Sequence, residues 1–312
     1  MASDLLLEAA RHIGSRLCTE ALVDRTGRRC NWMGRHDVED SLLARYSVRS
    51  AALGPELYGG SAGVALFLAE LYGRTGDESV RQTARAAIRR SVHYMQRQPT
   101  AASPLSFFAG HLGMAYVACR LMELDPEANL DPEVAWLIGC ILQERSEPTP
   151  LDVISGCAGA IAPLLLLARR PGLGELAEAA IRCGEEICAA ARWEDGRCYF
   201  ESARVIGQGM TSPPVTGFAH GASGLALALL VLYAHTGTAR YRDVARGALA
   251  FEDSLYSETD RNWVDTRFPY VQEDGAIKGT FQHGWCHGAP GIALARLHGA
   301  RLDPAIAAEA YD

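Results

Sequence analysis

A chain of 312 residues with 48% apolar side chains can build a substantial core, as one large domain or two smaller ones. A net charge of −7 excludes a general nucleic-acid binder, which needs a basic face, and is compatible with a basic peptide partner. Nine cysteines without a Cys-x-x-Cys pair exclude a zinc ribbon or a thioredoxin-type site, and reduced thiols are expected.

In chain order, Met1 to Glu8 carries an acid, Asp4, where a signal peptide is basic, and its apolar run is too short for export. The longest apolar stretch, Ala158 to Ala168, is far shorter than a membrane span. A soluble, cytoplasmic chain is therefore expected. From about residue 57 one phrase returns five times: glycine, two residues, glycine, then apolar residues at helical spacing. The copies are Gly60-Ser61-Ala62-Gly63, Gly110-His111-Leu112-Gly113, Gly156-Cys157-Ala158-Gly159, Gly221-Ala222-Ser223-Gly224 and Gly288-Ala289-Pro290-Gly291. Self-similarity of this kind marks a stacked helical unit.

Each phrase opens a helix that is apolar nearly all round, as after Gly63 and Gly224, and such helices are buried on every side. Between them the spacing predicts amphipathic helices over Asp77–Arg97, Glu175–Arg192 and Tyr241–Tyr256. Alternation of buried inner and amphipathic outer helices predicts an all-α fold, an α/α toroid. The glycines are expected where inner helices start close together and side chains would collide. Those helix ends, with unpaired N–H groups, would suit anions or thiolates. Two segments break the alternation. Residues 193–216, with an Asp195-Gly196 turn and Pro213-Pro214, and residues 260–285, with an Asp274-Gly275 turn, predict short hairpins or loops that wall a site.

The later phrases carry reactive groups at their mouths. Cys286 and His287 precede Gly288, and a cysteine at a helix mouth suits thiolate chemistry or zinc, although Cys-His alone is often structural. His220 stands at the corresponding point one repeat earlier, as general acid or base, or as a packed histidine. Asp152 precedes its phrase by four residues, as a site carboxylate or a turn cap. His111, Cys157, His283 and Tyr58 read as packing or surface residues.

The phrases Leu57-Tyr-Gly-Gly-Ser-Ala-Gly63, Asp152-Val-Ile-Ser-Gly-Cys-Ala-Gly159, Gly217-Phe-Ala-His-Gly-Ala-Ser-Gly224 and Gly284-Trp-Cys-His-Gly-Ala-Pro-Gly291 resemble, in order, those of the lanthionine synthetase C-like family. The resemblance covers nearly the whole chain. It implies a toroid of seven helix pairs and a lanthipeptide cyclase. In such an enzyme a zinc ion held by two cysteines and a histidine activates a peptide cysteine. The thiolate then adds to dehydroalanine or dehydrobutyrine, forming a thioether ring. By motif, Cys286 matches the first zinc cysteine, His220 the active-site histidine and Asp152 the active-site aspartate. The implied partners are a dehydrated precursor peptide and a separate dehydratase.

The count of repeats sets this chain apart. Five glycine phrases stand where the resemblance implies seven, and a further repeat at the shortest interval would fall beyond Asp312. Residues 1–312 are thus expected to form a single, C-terminally incomplete toroid domain. The later Cys-His-Gly motif is missing, and with it two of three expected zinc ligands. The alternative is a zinc-free, non-catalytic peptide-binding or scaffold protein that keeps the toroid. A different α/α toroid, such as a glycosidase, would place paired carboxylates at the repeat mouths, and none stand there.

Overall fold

In a computed structural model that describes residues 2–40, 45–98, 103–143, 149–206, 210–212, 214–271 and 277–306, every glycine phrase starts a helix. The chain forms two compact units, Met1–Pro104 with Phe108–Gln143, and Leu105–Phe107 with Glu144–Asp312.

The first unit begins with α1 (Ala2–Glu20), a small β-ladder of β1 (Leu22–Val23) and β2 (Cys30–Asn31), and an antiparallel hairpin of β3 (Met33–Asp40) and β4 (Arg45–Ala52). The Trp32 indole N–H donates to the Leu17 carbonyl at 2.8 Å and ties this segment to α1. Then follow α2 (Ser61–Thr75), α3 (Glu78–Arg97), α4 (His111–Leu124) and α5 (Asp131–Leu142). Inner helices α2 and α4 pack on each other, α3 packs on α2 and α5 on α4. The α3 helix shows why it lies outside. Val80, Ala84, Ala87, Ile88, Val92 and Met95 form one buried stripe, and arginines occupy the other face. Asp77 caps it, accepting the N–H groups of Ser79 and Val80 at 2.9 and 3.3 Å. Arg85 fixes Asp125, at the end of α4, through a bidentate ion pair.

The second unit repeats the pattern with α6 (Cys157–Leu167), α7 (Leu176–Ala190), hairpins β5 (Arg192–Glu194) with β6 (Arg197–Tyr199) and β7 (Ser202–Ile206) with β8 (Met210–Ser212), then α8 (Ala222–Thr236) and α9 (Ala239–Asp253). A sheet of β9 (Tyr256–Ser257), β10 (Asn262–Val271) and β11 (Ile277–Phe281) leads into α10 (Ala289–Leu302). Inner helix α8 lies against both α6 and α10, while α7 packs on α6 and α9 on α8. The predicted outer helices thus stand within a few residues of their expected limits. The two segments expected as hairpins or loops form β5–β8 and β9–β11. Asp195 and Gly196 turn between β5 and β6 with positive φ. Pro213, the Asp274-Gly275 turn and the chain beyond Ile306 lie outside the described residues.

The glycines serve a purpose other than the one expected. The first glycine of each phrase is the N-cap of its helix, and Gly60, Gly110, Gly221 and Gly288 are in extended backbone that any residue adopts. What excludes a side chain is the preceding loop, which folds back over the first turn. A Cβ on Gly63, Gly159, Gly224 or Gly291 would lie 2.3, 1.8, 2.0 or 1.8 Å from the carbonyl oxygen six residues earlier. The collision is chiefly with the repeat's own loop, and with the adjacent repeat only through Val153 at Gly224 and Phe218 at Gly291. The same loops occupy the helix ends. The N–H groups of Ser61, Cys157 and Ala222 donate to the carbonyls of Gly54, Pro150 and Val215 at 2.8–3.0 Å. These first-turn amides are therefore not open to anions or thiolates, which corrects the expectation from the sequence.

Candidate functional site

Three loop turns in the second unit converge through their backbones. The Val153 N–H donates to the Ala219 carbonyl, and the Ala219 N–H donates to the Cys286 carbonyl, each at 3.0 Å. These residues lie just before Gly156, Gly221 and Gly288, so the ladder joins the mouths of three successive repeats. The β10 strand braces the middle turn, its Val264 carbonyl accepting the Thr216 hydroxyl at 2.8 Å. Buried Asn262 orders the third turn: its amide donates to the Gln282 carbonyl at 2.9 Å, and its oxygen accepts the Ala289 N–H at 3.2 Å. The segment before the last glycine phrase therefore braces two of the three turns.

The ladder places side chains together. His220 Nδ1 lies 2.6 Å from Asp152 Oδ2, and the other Asp152 oxygen accepts the Ser155 N–H at 2.6 Å. The side chains are 37% and 22% exposed, so the pair is fixed yet reachable. With Nδ1 held by the carboxylate, Nε2 is the nitrogen left for chemistry. His287, at the same position of the next repeat, stacks on His220 with ring centroids 5.3 Å apart and planes 18° from parallel. His287 is buried, His220 exposed and Cys286 half-buried. Cys286 joins the cluster through its carbonyl and its neighbour His287. Phe218 and exposed Trp285 stand beside it with ring centroids 6.2 Å apart.

Charge below the cluster was not anticipated from the sequence. Buried Asp265 is pushed up by burial, but its bonds to Arg267 and the nearby His287 outweigh this and hold it below the usual carboxylate range. Fully buried Glu252 is displaced upward by desolvation, which Arg296, the Gly217 N–H and Ser223 oppose. Glu252 had a readable signal. It falls on the buried stripe of α9 with Tyr241, Val244, Ala245 and Ala248, where a carboxylate needs partners.

With this geometry in hand, the comparisons decide the family. A profile described as "Lanthionine synthetase C-like protein" matches residues 51–311, across both units. The chain belongs to the lanthionine synthetase C-like family. Its structure is similar to that of nisin cyclase, with a TM-score of 0.62 and 18% sequence identity, covering 82% of this chain and 68% of that one. This likeness shows the fold class, all-α of the α/α-toroid type with short hairpins inserted. A match to the Lin0763 protein from Listeria innocua has a TM-score of 0.42 and 15% identity, covering 81% of this chain and 72% of that one. No curated protein matches.

Zinc, which the lanthionine synthetase C-like family implies, can be tested against the donors present. A zinc centre takes at least three protein ligands. Among the described residues no group of three His, Cys, Asp or Glu side chains could hold a metal ion. Cys286 therefore stands without a set of partners suited to zinc among those residues. The described donors do not fit the ion.

Proposed function

We propose that this chain is a lanthipeptide cyclase that adds a peptide cysteine thiol to dehydroalanine or dehydrobutyrine in the same peptide, with the His220–Asp152 pair as its acid and base. The observation that carries the reading is the 2.6 Å contact of these two groups at the mouths of consecutive repeats, in a member of this family. His220 Nε2 accepts the thiol proton. The sulfur bonds to the β-carbon of the alkene, whose π pair moves into the adjoining carbonyl as an enolate. The imidazolium then returns a proton to the α-carbon, so the thioether keeps every atom of the linear peptide. Asp152 stabilises the imidazolium and holds its tautomer. Zinc assistance would require two ligands beyond Cys286, and no step here runs through a metal.

The substrate class implies earlier dehydration of serine and threonine side chains, which we assign to a separate dehydratase. All nine cysteines are free thiols, which supports work in a reducing compartment. No helix among the described residues is long and apolar enough to cross a membrane. Because ring closure leaves the mass unchanged, the test is the count of free thiols. A dehydrated, cysteine-containing precursor peptide is incubated with the protein, alkylated and weighed. Loss of alkylation sites with time is expected. Peptide binding with every thiol still free would instead identify a scaffold that keeps the fold without the reaction.

A further inference from the structure

We infer that Glu252 is a positioning residue, a buried brace that sets the His220 turn against the Cys286–His287 turn; this rests on the cyclase reading above. Glu252 lies on outer helix α9 and is fully buried. Its Oε1 accepts the Gly217 N–H at 2.9 Å. Its Oε2 accepts the Ser223 hydroxyl, in the first turn of α8, and Arg296 Nη2 at 3.1 Å. One carboxylate thus holds the loop before His220, the helix after it, and α10, which the Cys286–His287 turn opens.

The Gly217 end of this brace touches the second turn directly. Gly217 has φ +103°, and a Cβ there would lie 2.7 Å from the His287 Cα and 2.8 Å from the Cys286 carbonyl oxygen. Two residues on, the Ala219 N–H donates to that same carbonyl. Where Glu252 holds Gly217 therefore decides where Ala219 and His220 meet Cys286 and His287. At the far end, Arg296 also pairs with Asp253 at 2.8 Å and lies over the Trp263 ring, 5.3 Å from its centroid, so the brace is anchored rather than loose. Glu252 is too deep to touch a peptide. It serves the reaction only through the turns it holds.

Glu252→Gln tests this. Three donors converge on the carboxylate, whereas a carboxamide offers one acceptor oxygen and a donor group, so at least one donor loses its acceptor. In the substrate-free protein the backbone amide resonances of Gly217, Ala219 and Cys286 should shift, while that of Gly139 on α5 stays. With dehydrated peptide, kcat should fall by about tenfold and KM stay within about twofold, the pattern of misplaced reacting groups. Unmoved Ala219 and Cys286 resonances, or a higher KM at unchanged kcat, would overturn the brace. If wild-type protein closes no rings, the cyclase reading fails, and the amide shifts still decide whether Glu252 sets the two turns. Should Glu252→Gln not fold, Ser223→Ala removes one donor from the carboxylate and should still move the Ala219 resonance while that of Gly139 stays; no movement would be equally decisive against the proposal.

Discussion

Asp152 and His220 are 68 residues apart in sequence and 2.6 Å apart in space. Their pairing has a local cause, since each lies in the loop that folds over a helix start and the loops are joined by the Val153–Ala219–Cys286 ladder. Both residues were legible as candidates because each precedes a glycine phrase. The stack of His287 on His220 was half legible, because both occupy the same repeat position. Glu252 was readable by spacing, on the buried stripe of α9, and was missed because the donors that make a buried carboxylate tolerable lie far away in sequence, on the Gly217 loop, α8 and α10. A second residue-level consequence concerns His111, at the start of α4, which packs against Trp136 with ring centroids 5.3 Å apart. Burial holds its pKa below the usual 6.5. The unfolded chain therefore takes up this proton more readily than the folded one. The stability His111 contributes is complete above pH 6.5 and is lost as pH falls toward its folded pKa. Urea unfolding at pH 7.5 and pH 5 should show a smaller acid loss for His111→Phe than for wild type; equal losses would contradict the assignment.

At the scale of elements, the chain's periodicity located the inner and outer helices because burial on all sides and burial on one side leave different patterns. Periodicity did not show what the glycines do. A loop folding back six residues later leaves no hydrophobic signature, so crowding between neighbouring helices was the natural but wrong explanation. The difference has a measurable consequence. Gly291→Ala must push a methyl group to 1.8 Å from the Trp285 carbonyl oxygen, which should cost about 3 kcal/mol. Gly139→Ala, exposed in the middle of α5 with nothing near its Cβ, should stabilise by about 0.5–1 kcal/mol. Chemical denaturation of the two variants checks both signs. A Gly291→Ala protein as stable as wild type would refute the loop-over-helix account.

For the molecule as a whole, the alternation of inner and outer helices recurs in both units, and the family profile spans both. The architecture was legible because it is repetitive. The segment before the first glycine phrase was not, because α1 and the hairpins β1–β4 belong to no repeat and their short strands carry little pattern. The zinc question also belongs to this scale, since a metal centre would need donors from several repeats. Metal analysis of purified protein should find well below about one zinc per chain, and stoichiometric zinc lost on Cys286→Ala would contradict this. The central claim, that the His220–Asp152 pair moves the proton in thioether formation, is tested most directly by the rate of free-thiol loss with Asp152→Asn. A fall of about 100-fold with the fold intact is expected. Ring formation by Asp152→Asn as fast as by wild type would contradict it.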